Sequence, residues 1–125
     1  PAQLAELLRG ASVFVLPWFY EGLPLVVAEA IACGCRVVAT DLPGTRYFAE
    51  QLPGVVARVP PPPMESIDRP RAAALPAFRQ DISAAIARAV QQTDQFDAAR
   101  LAALFTWREV FTRIESVWKL LLDEA

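Results

Sequence analysis

Histidine is absent from the 125 residues, which removes histidine-based triads, imidazole general bases and most zinc sites from consideration. Cysteine is almost as scarce. Cys33 and Cys35 are the only two, one residue apart, too close for a C-x-x-C redox or metal motif and with no second pair elsewhere. They are expected to be reduced, buried small residues of a cytoplasmic protein. Clustered positive charge is also missing: the twelve basic residues are scattered and the net charge is −2, so nucleic acid is not an expected partner. Residues 11–20 and 22–35 approach the length of a membrane span, but Pro17, Glu21, Pro24 and Glu29 interrupt them and no transmembrane helix is expected. The N-terminus lacks the basic and apolar regions of a signal peptide. What remains, with 54% hydrophobic residues, suffices for one small domain with one core.

The most informative stretch is Phe19-Tyr20-Glu21-Gly22-Leu23-Pro24-Leu25-Val26-Val27-Ala28-Glu29, with two carboxylates eight positions apart around a helix start. Pro24 is expected as the first helical residue, where a missing N–H costs nothing and its φ is already near helical. The free N–H groups of Leu25, Val26 and Val27 would then face outward. Gly22 allows close approach of a ligand to the backbone, and the helix dipole favours negative charge there, as a phosphate seat requires. On a helical wheel Glu29 has Leu25, Val26, Ala32 and Cys33 as neighbours, all apolar. A carboxylate buried among them would cost several kcal/mol unless compensated. It is therefore either an acceptor at a cleft, which is favoured, or a structural acid paired with an arginine. Glu21, taken alone, also reads as a solvated loop acid.

Together with Ala11-Ser12-Val13-Phe14-Val15-Leu16-Pro17 before it and Ala30 and Gly34 after it, this stretch resembles the E-x7-E region of retaining group 1 (family 4) glycosyltransferases. These have two Rossmann-like domains (the GT-B arrangement). The likeness is close over about residues 2–45 and looser beyond. It implies that the chain is part of the C-terminal, nucleotide-sugar-binding domain. Glu21 would lie beside the donor sugar as the catalytic-site acid. Glu29 would hold the ribose hydroxyls, and the backbone of Gly22, Leu23, Pro24, Leu25 and Val26 would meet the pyrophosphate. The donor would be a nucleotide-diphospho-sugar, with no metal or other cofactor. The family's basic residues for the diphosphate come from a part that residues 1–15 do not replace, and the acceptor-binding domain is expected to lie outside these residues. The chain alone is therefore expected to be inactive. Peripheral membrane association of a full-length enzyme stays compatible with a cytoplasmic location.

The order of elements fits an α/β class: an incomplete Rossmann-like, three-layer domain with a short parallel sheet of about three strands and C-terminal helices. Leu4, Leu7 and Leu8 mark a short amphipathic helix over residues 2–9 ended by Gly10. Val13 to Leu16 reads as a strand buried on both faces. Gly34 suits a left-handed helix end, and Arg36 to Thr40 is the next strand, completing a βαβ unit. Loops Trp18–Gly22 and Asp41–Thr45 both leave the carboxyl ends of strands and should face one crevice. Asp41 before Leu-Pro-Gly is favoured as an ordinary turn former. Where the resembled family has a glutamate in this loop, Tyr47 stands, so no role carries over.

A helix over about Thr45–Gln51, a turn at Pro53-Gly54 and a strand at Val55–Val59 should follow. Pro60 to Pro63 open an extended, proline-rich surface connection over residues 60–76. Residues 77–125 read as a helical tail. Phe78, Ile82, Ala85, Ile86, Ala89 and Val90 form one apolar face over 77–92, and Asp97 caps a shorter helix. Thr106 and Glu109 form a capping box, with Phe105 and Val110 spaced as a staple. Trp107, Val110, Phe111, Ile114, Val117, Trp118 and Leu121 then repeat at helical spacing, expected as core packing. In the resembled family a helix of this kind crosses to the N-terminal domain. A non-catalytic module that self-associates through its sheet edge or tail helix is the alternative. A nucleotide-sugar epimerase is disfavoured for want of histidine.

Overall fold

The computed structural model describes residues 2–123 and, of these, all side chains but that of Leu101. Three parallel strands, β1 (Val13–Leu16), β2 (Arg36–Thr40) and β3 (Val56–Val59), lie in the order β1-β2-β3. Val13 is opposite Arg36, and Val37 opposite Val56. Helix α1 (Ala2–Arg9) precedes β1, α2 (Leu25–Ala32) joins β1 to β2, and α3 (Pro43–Gln51) joins β2 to β3. Every residue of the central strand β2 is buried, as a strand covered on both faces requires.

Alternation along the strands divides the core in two. Phe14, Leu16, Val37, Ala39 and Val56 face Val27, Ala30 and Ile31 of α2 and Phe48 of α3. Val13, Val15, Val38 and Val59 face Phe78, Ala85 and Ala89 of a long helix, α4 (Leu75–Gln91). With helices on both sheet faces, the architecture is the expected three-layer, Rossmann-like α/β arrangement with C-terminal helices. Helix α2 ends as Gly34 implies: Gly34 takes φ 94°, its N–H bonds to the Ile31 carbonyl (2.9 Å) and that of Cys35 to the Ala30 carbonyl (3.0 Å), the paired bonds of a Schellman turn.

Several boundaries differ from expectation. Pro24 is not the first helical residue but the cap before it, at φ −75° and ψ 94°. Its fixed φ is compatible with either place, and the extended ψ is what lets the chain turn into the helix. Helix α3 starts earlier than Thr45, at Pro43. The Thr45 hydroxyl closes its first turn, accepting from the Leu42 N–H (2.9 Å) and donating to the Thr40 carbonyl (2.6 Å).

The proline run is extended, but the connection after it is more than a loop. Strands β4 (Met64–Ser66) and β5 (Arg69–Pro70) form an antiparallel hairpin, turned by Asp68 at φ 58°, a left-handed conformation that Asp tolerates better than most residues. Pro63 cannot donate but its carbonyl accepts from the Arg71 N–H (2.9 Å). A short 3-10 turn, Ala72–Ala74, leads into α4.

The tail overturns one expectation outright. After α5 (Ala98–Ala103), capped by the Asp97 carboxylate on the Arg100 N–H (2.8 Å), helix α6 (Trp107–Asp123) buries none of its residues. The apolar stripe is regular, yet Trp107 is 77% and Trp118 63% exposed. Periodicity gives a helix one face but supplies nothing for that face to meet. At its start, the Thr106 hydroxyl accepts from the Glu109 N–H (3.4 Å), while the Glu109 carboxylate pairs with Arg113 (3.1 Å) instead of reaching back. Phe105 packs on Phe48, with ring centroids 5.0 Å apart. Of the two cysteines, both free, Cys35 is buried and Cys33 only half-buried, at the edge of a hollow. The Cys35 thiol donates to the Leu8 carbonyl (3.0 Å), and burial first, then the neighbouring Cys33, raises its pKa above the ordinary thiol value. Among the described residues no helix is long and apolar enough to cross a membrane.

Candidate functional site

The carboxyl ends of β1 and β2 release two loops toward the same side, and the contact between them is intimate. A Cβ placed on buried Gly44 would run into the Gly22 carbonyl and come within 2.8 Å of Pro24 Cδ. Only a residue without a side chain lets α3 start against the turn that opens α2. Sequence reasoning assigned Gly44 to a turn and missed this role. The signal was the Pro43-Gly44 pair itself, whose partner lies too far along the chain for local patterns to show.

At that turn the Pro24 carbonyl accepts from the Val27 N–H (2.9 Å), so Val27 is not one of the free donors expected there. The Leu25 and Val26 N–H groups have no partner among the described residues and remain the open donors of the α2 N-terminus. Glu21 is half-buried, and its carboxylate accepts from the next N–H, that of Gly22 (2.9 Å). A helix end with two open amides, a glycine and an adjacent carboxylate can accept an anion on the amides while presenting an acid beside it.

Glu29 lies farther along α2 and is exposed. It lines a hollow of about 280 Å3 with Leu4, Ala5 and Leu8 of α1 and with Ala32 and Cys33. The desolvation cost inferred from its neighbours does not arise, because the flanking Leu25 (65% exposed) and Ala32 are themselves uncovered. No ion pair engages Glu29 among the described residues. Glu21 does not line that hollow.

Asp41 is more than a turn former. Its carboxylate meets Arg46 of α3 (2.9 Å) and Arg58 of β3 (3.1 Å), joining three elements at the carboxyl end of the sheet. The hydrogen bond from Arg46, followed by the charges of Arg46 and Arg58, outweighs desolvation and holds the Asp41 pKa below the ordinary carboxylate value. Tyr47 turns away from the crevice, packing on Phe105 (6.3 Å between centroids) and accepting from Arg113 (3.2 Å). At the other end of the sheet Arg36 is buried, donating to the Gly54 and Asp94 carbonyls (both 2.7 Å) and pairing with the Asp94 carboxylate (2.9 Å). It fastens the segment after α4 and has no part in the crevice.

A parallel sheet flanked by helices, with a glycine turn and open amides at the strands' carboxyl ends, is a Rossmann-like α/β arrangement, in which that end of the sheet is where ligands ordinarily bind. The family model described as "Glycosyl transferases group 1" matches residues 2–93, well over half of the chain, and the chain belongs to that family. Curated relatives match over a shorter stretch. An N,N'-diacetylbacillosaminyl-diphospho-undecaprenol alpha-1,3-N-acetylgalactosaminyltransferase of Campylobacter jejuni is 44% identical over 43 residues. The alpha-maltose-1-phosphate synthases of Mycobacterium tuberculosis and Mycolicibacterium smegmatis are 52% and 48% identical over 42 residues. Each match covers 34% of this chain and spans 11% of the relative's length. No solved structure matches.

Proposed function

We propose that this chain is the donor-binding part of a retaining glycosyltransferase of the GT-B type, moving a sugar from a nucleotide-diphospho-sugar to an acceptor. The observation that carries it is the α2 N-terminus, where the open Leu25 and Val26 amides, Gly22 and the Glu21 carboxylate share one turn on which α3 closes at Gly44. As the bond from the sugar to the diphosphate breaks, negative charge grows on the leaving oxygen. The backbone from Gly22 to Val26 stabilises it without rearranging. Glu21 positions the sugar and supports positive charge at its reacting carbon. Glu29, exposed and unpaired on α2, accepts hydrogen bonds from the ribose hydroxyls. The nucleoside diphosphate leaves without a metal ion.

The acceptor is held by a domain outside these residues, so residues 1–125 are one partial domain with a proline-rich connection over 60–76 and a helical tail. Half a cleft neither excludes water nor orients an acceptor, and the chain by itself transfers no sugar at a useful rate. Calorimetry on a chain extended to full length tests the ribose role. Glu29→Ala is expected to weaken UDP, GDP or ADP binding about tenfold, the worth of a charged hydrogen bond. Unchanged affinity for all three would remove that role. One observation favours self-association as a second reading: α6 buries nothing, and such faces call for cover. A clean monomer by light scattering would count against it.

A further inference from the structure

The loop between β1 and Glu21 carries aromatic side chains that the nucleotide reading leaves unused. Phe19 is its anchor: the ring packs on Phe78 of α4, centroids 5.3 Å apart, within the core under the sheet. Its neighbours do the opposite. Trp18 is 51% and Tyr20 68% exposed, although burying a Trp or Tyr ring ordinarily contributes more than burying most side chains. Both line a hollow of about 420 Å3 with Pro17, Phe19 and Asp68. Asp68 comes from the tip of the β4–β5 hairpin, far along the chain, and holds the left-handed φ of 58° that brings it there. No hydrogen bond or ion pair engages its carboxylate among the described residues.

The chemistry narrows the ligand. Among the described residues no cation lines the hollow, so a phosphate would meet only the like charge of Asp68. A purely apolar ligand would make no use of that carboxylate, which is exposed. A pyranose suits both surfaces: the C–H face of the ring lies on an aromatic plane, and its hydroxyls donate to a carboxylate, which only accepts. Glu21 does not line this hollow but follows Tyr20 directly, so the hollow belongs to the same loop as the acid assigned to the transferred sugar. We propose that Trp18, Tyr20 and Asp68 form a sugar-binding subsite for an uncharged pyranose. The inference rests on the glycosyltransferase reading for its choice of sugar over other ligands. Trp18 and Tyr20 supply the stacking surface and Asp68 the hydroxyl acceptor, while Phe19 holds the platform rigid from below.

The test uses the isotope-labelled chain and nuclear magnetic resonance. The methyl glycosides of glucose, galactose, mannose and N-acetylglucosamine are titrated in turn, then UDP, UDP-glucose and tetramethylammonium. At least one glycoside or UDP-glucose is expected to shift the Trp18 indole N–H and the Asp68 amide together, with a Kd on the order of millimolar for so small a ligand. A free glycoside that suffices identifies the ring as an acceptor's; a shift that requires UDP-glucose identifies it as the donor's. Trp18→Ala should weaken binding tenfold or more, and Asp68→Ala severalfold. Trp18 is exposed, so the variant's remaining spectrum should be unchanged. If no sugar moves these two resonances, or if tetramethylammonium alone does, the subsite is refuted. UDP shifts at Gly22, Leu25 and Val26 report separately on the nucleotide reading, so either assignment can fail while the other stands.

Discussion

Helices α4 and α6 have the same length, 17 residues, and both carry a regular apolar stripe. One is half of the core and the other touches almost nothing. Helix α4 places Phe78, Ala85 and Ala89 against all three parallel strands. Helix α6 keeps Trp107, Phe111, Val117, Trp118 and Leu121 more than half exposed, and among the described residues its one side-chain hydrogen bond to the body runs from Arg113 to Tyr47 (3.2 Å). The better-patterned helix is the less buried. An apolar face is a demand for a partner, and within these residues only α4 finds one.

The widest separation between the two helices should appear in stability. Phe78→Ala removes a ring packed under the sheet and on Phe19, and is expected to cost about 3–5 kcal/mol. Trp118→Ala should stay within about 0.5 kcal/mol, as surface changes do. Urea unfolding of the two variants measures both, and an equal loss would mean that α6 is covered in solution. Gly44→Ala sharpens the contrast from the side of α3, whose start is packed too tightly for one methyl group. Overpacking of this kind costs about 1–3 kcal/mol, and the amides of Gly22 and Leu25 should shift with it in a nuclear magnetic resonance spectrum.

The smallest effect is electrostatic. Because Asp41 has its pKa lowered in the fold, first by the Arg46 hydrogen bond, its contribution is fully present above the ordinary carboxylate pKa of about 4. It is lost as pH falls through the lower folded value. Asp41→Asn should remove that part of the acid dependence of stability. The difference from wild type should shrink in high salt, because both arginines are solvent-exposed. An unaltered acid profile in the variant would show that the carboxylate does not hold α3 and β3 together.

Local chemistry was enough for most of the frame. Short runs rich in apolar and β-branched residues marked the three strands. Gly34 and Asp97 terminated and capped helices by rules that involve only their own turn, so both were legible in advance. The proline run was legible as extended backbone, but the hairpin after it was not, since it depends on Asp68 adopting a left-handed turn between two short strands. Glu29 shows the limit from the other side. A helical wheel names neighbours, and whether those neighbours are covered depends on what packs beside them; here Leu25 and Ala32 are open.

From the chain of residues alone came the α/β class, the order of its elements, the E-x7-E stretch and the absence of histidine chemistry. All of these follow from composition and from contacts within a few residues. Tertiary structure decided the rest: that Gly44 abuts Gly22, that Asp41 gathers Arg46 and Arg58, that Asp68 shares a hollow with Trp18 and Tyr20, and that α6 is left bare. Each joins residues distant in sequence or depends on whether a partner surface exists, and periodicity holds no record of what lies across a gap in space.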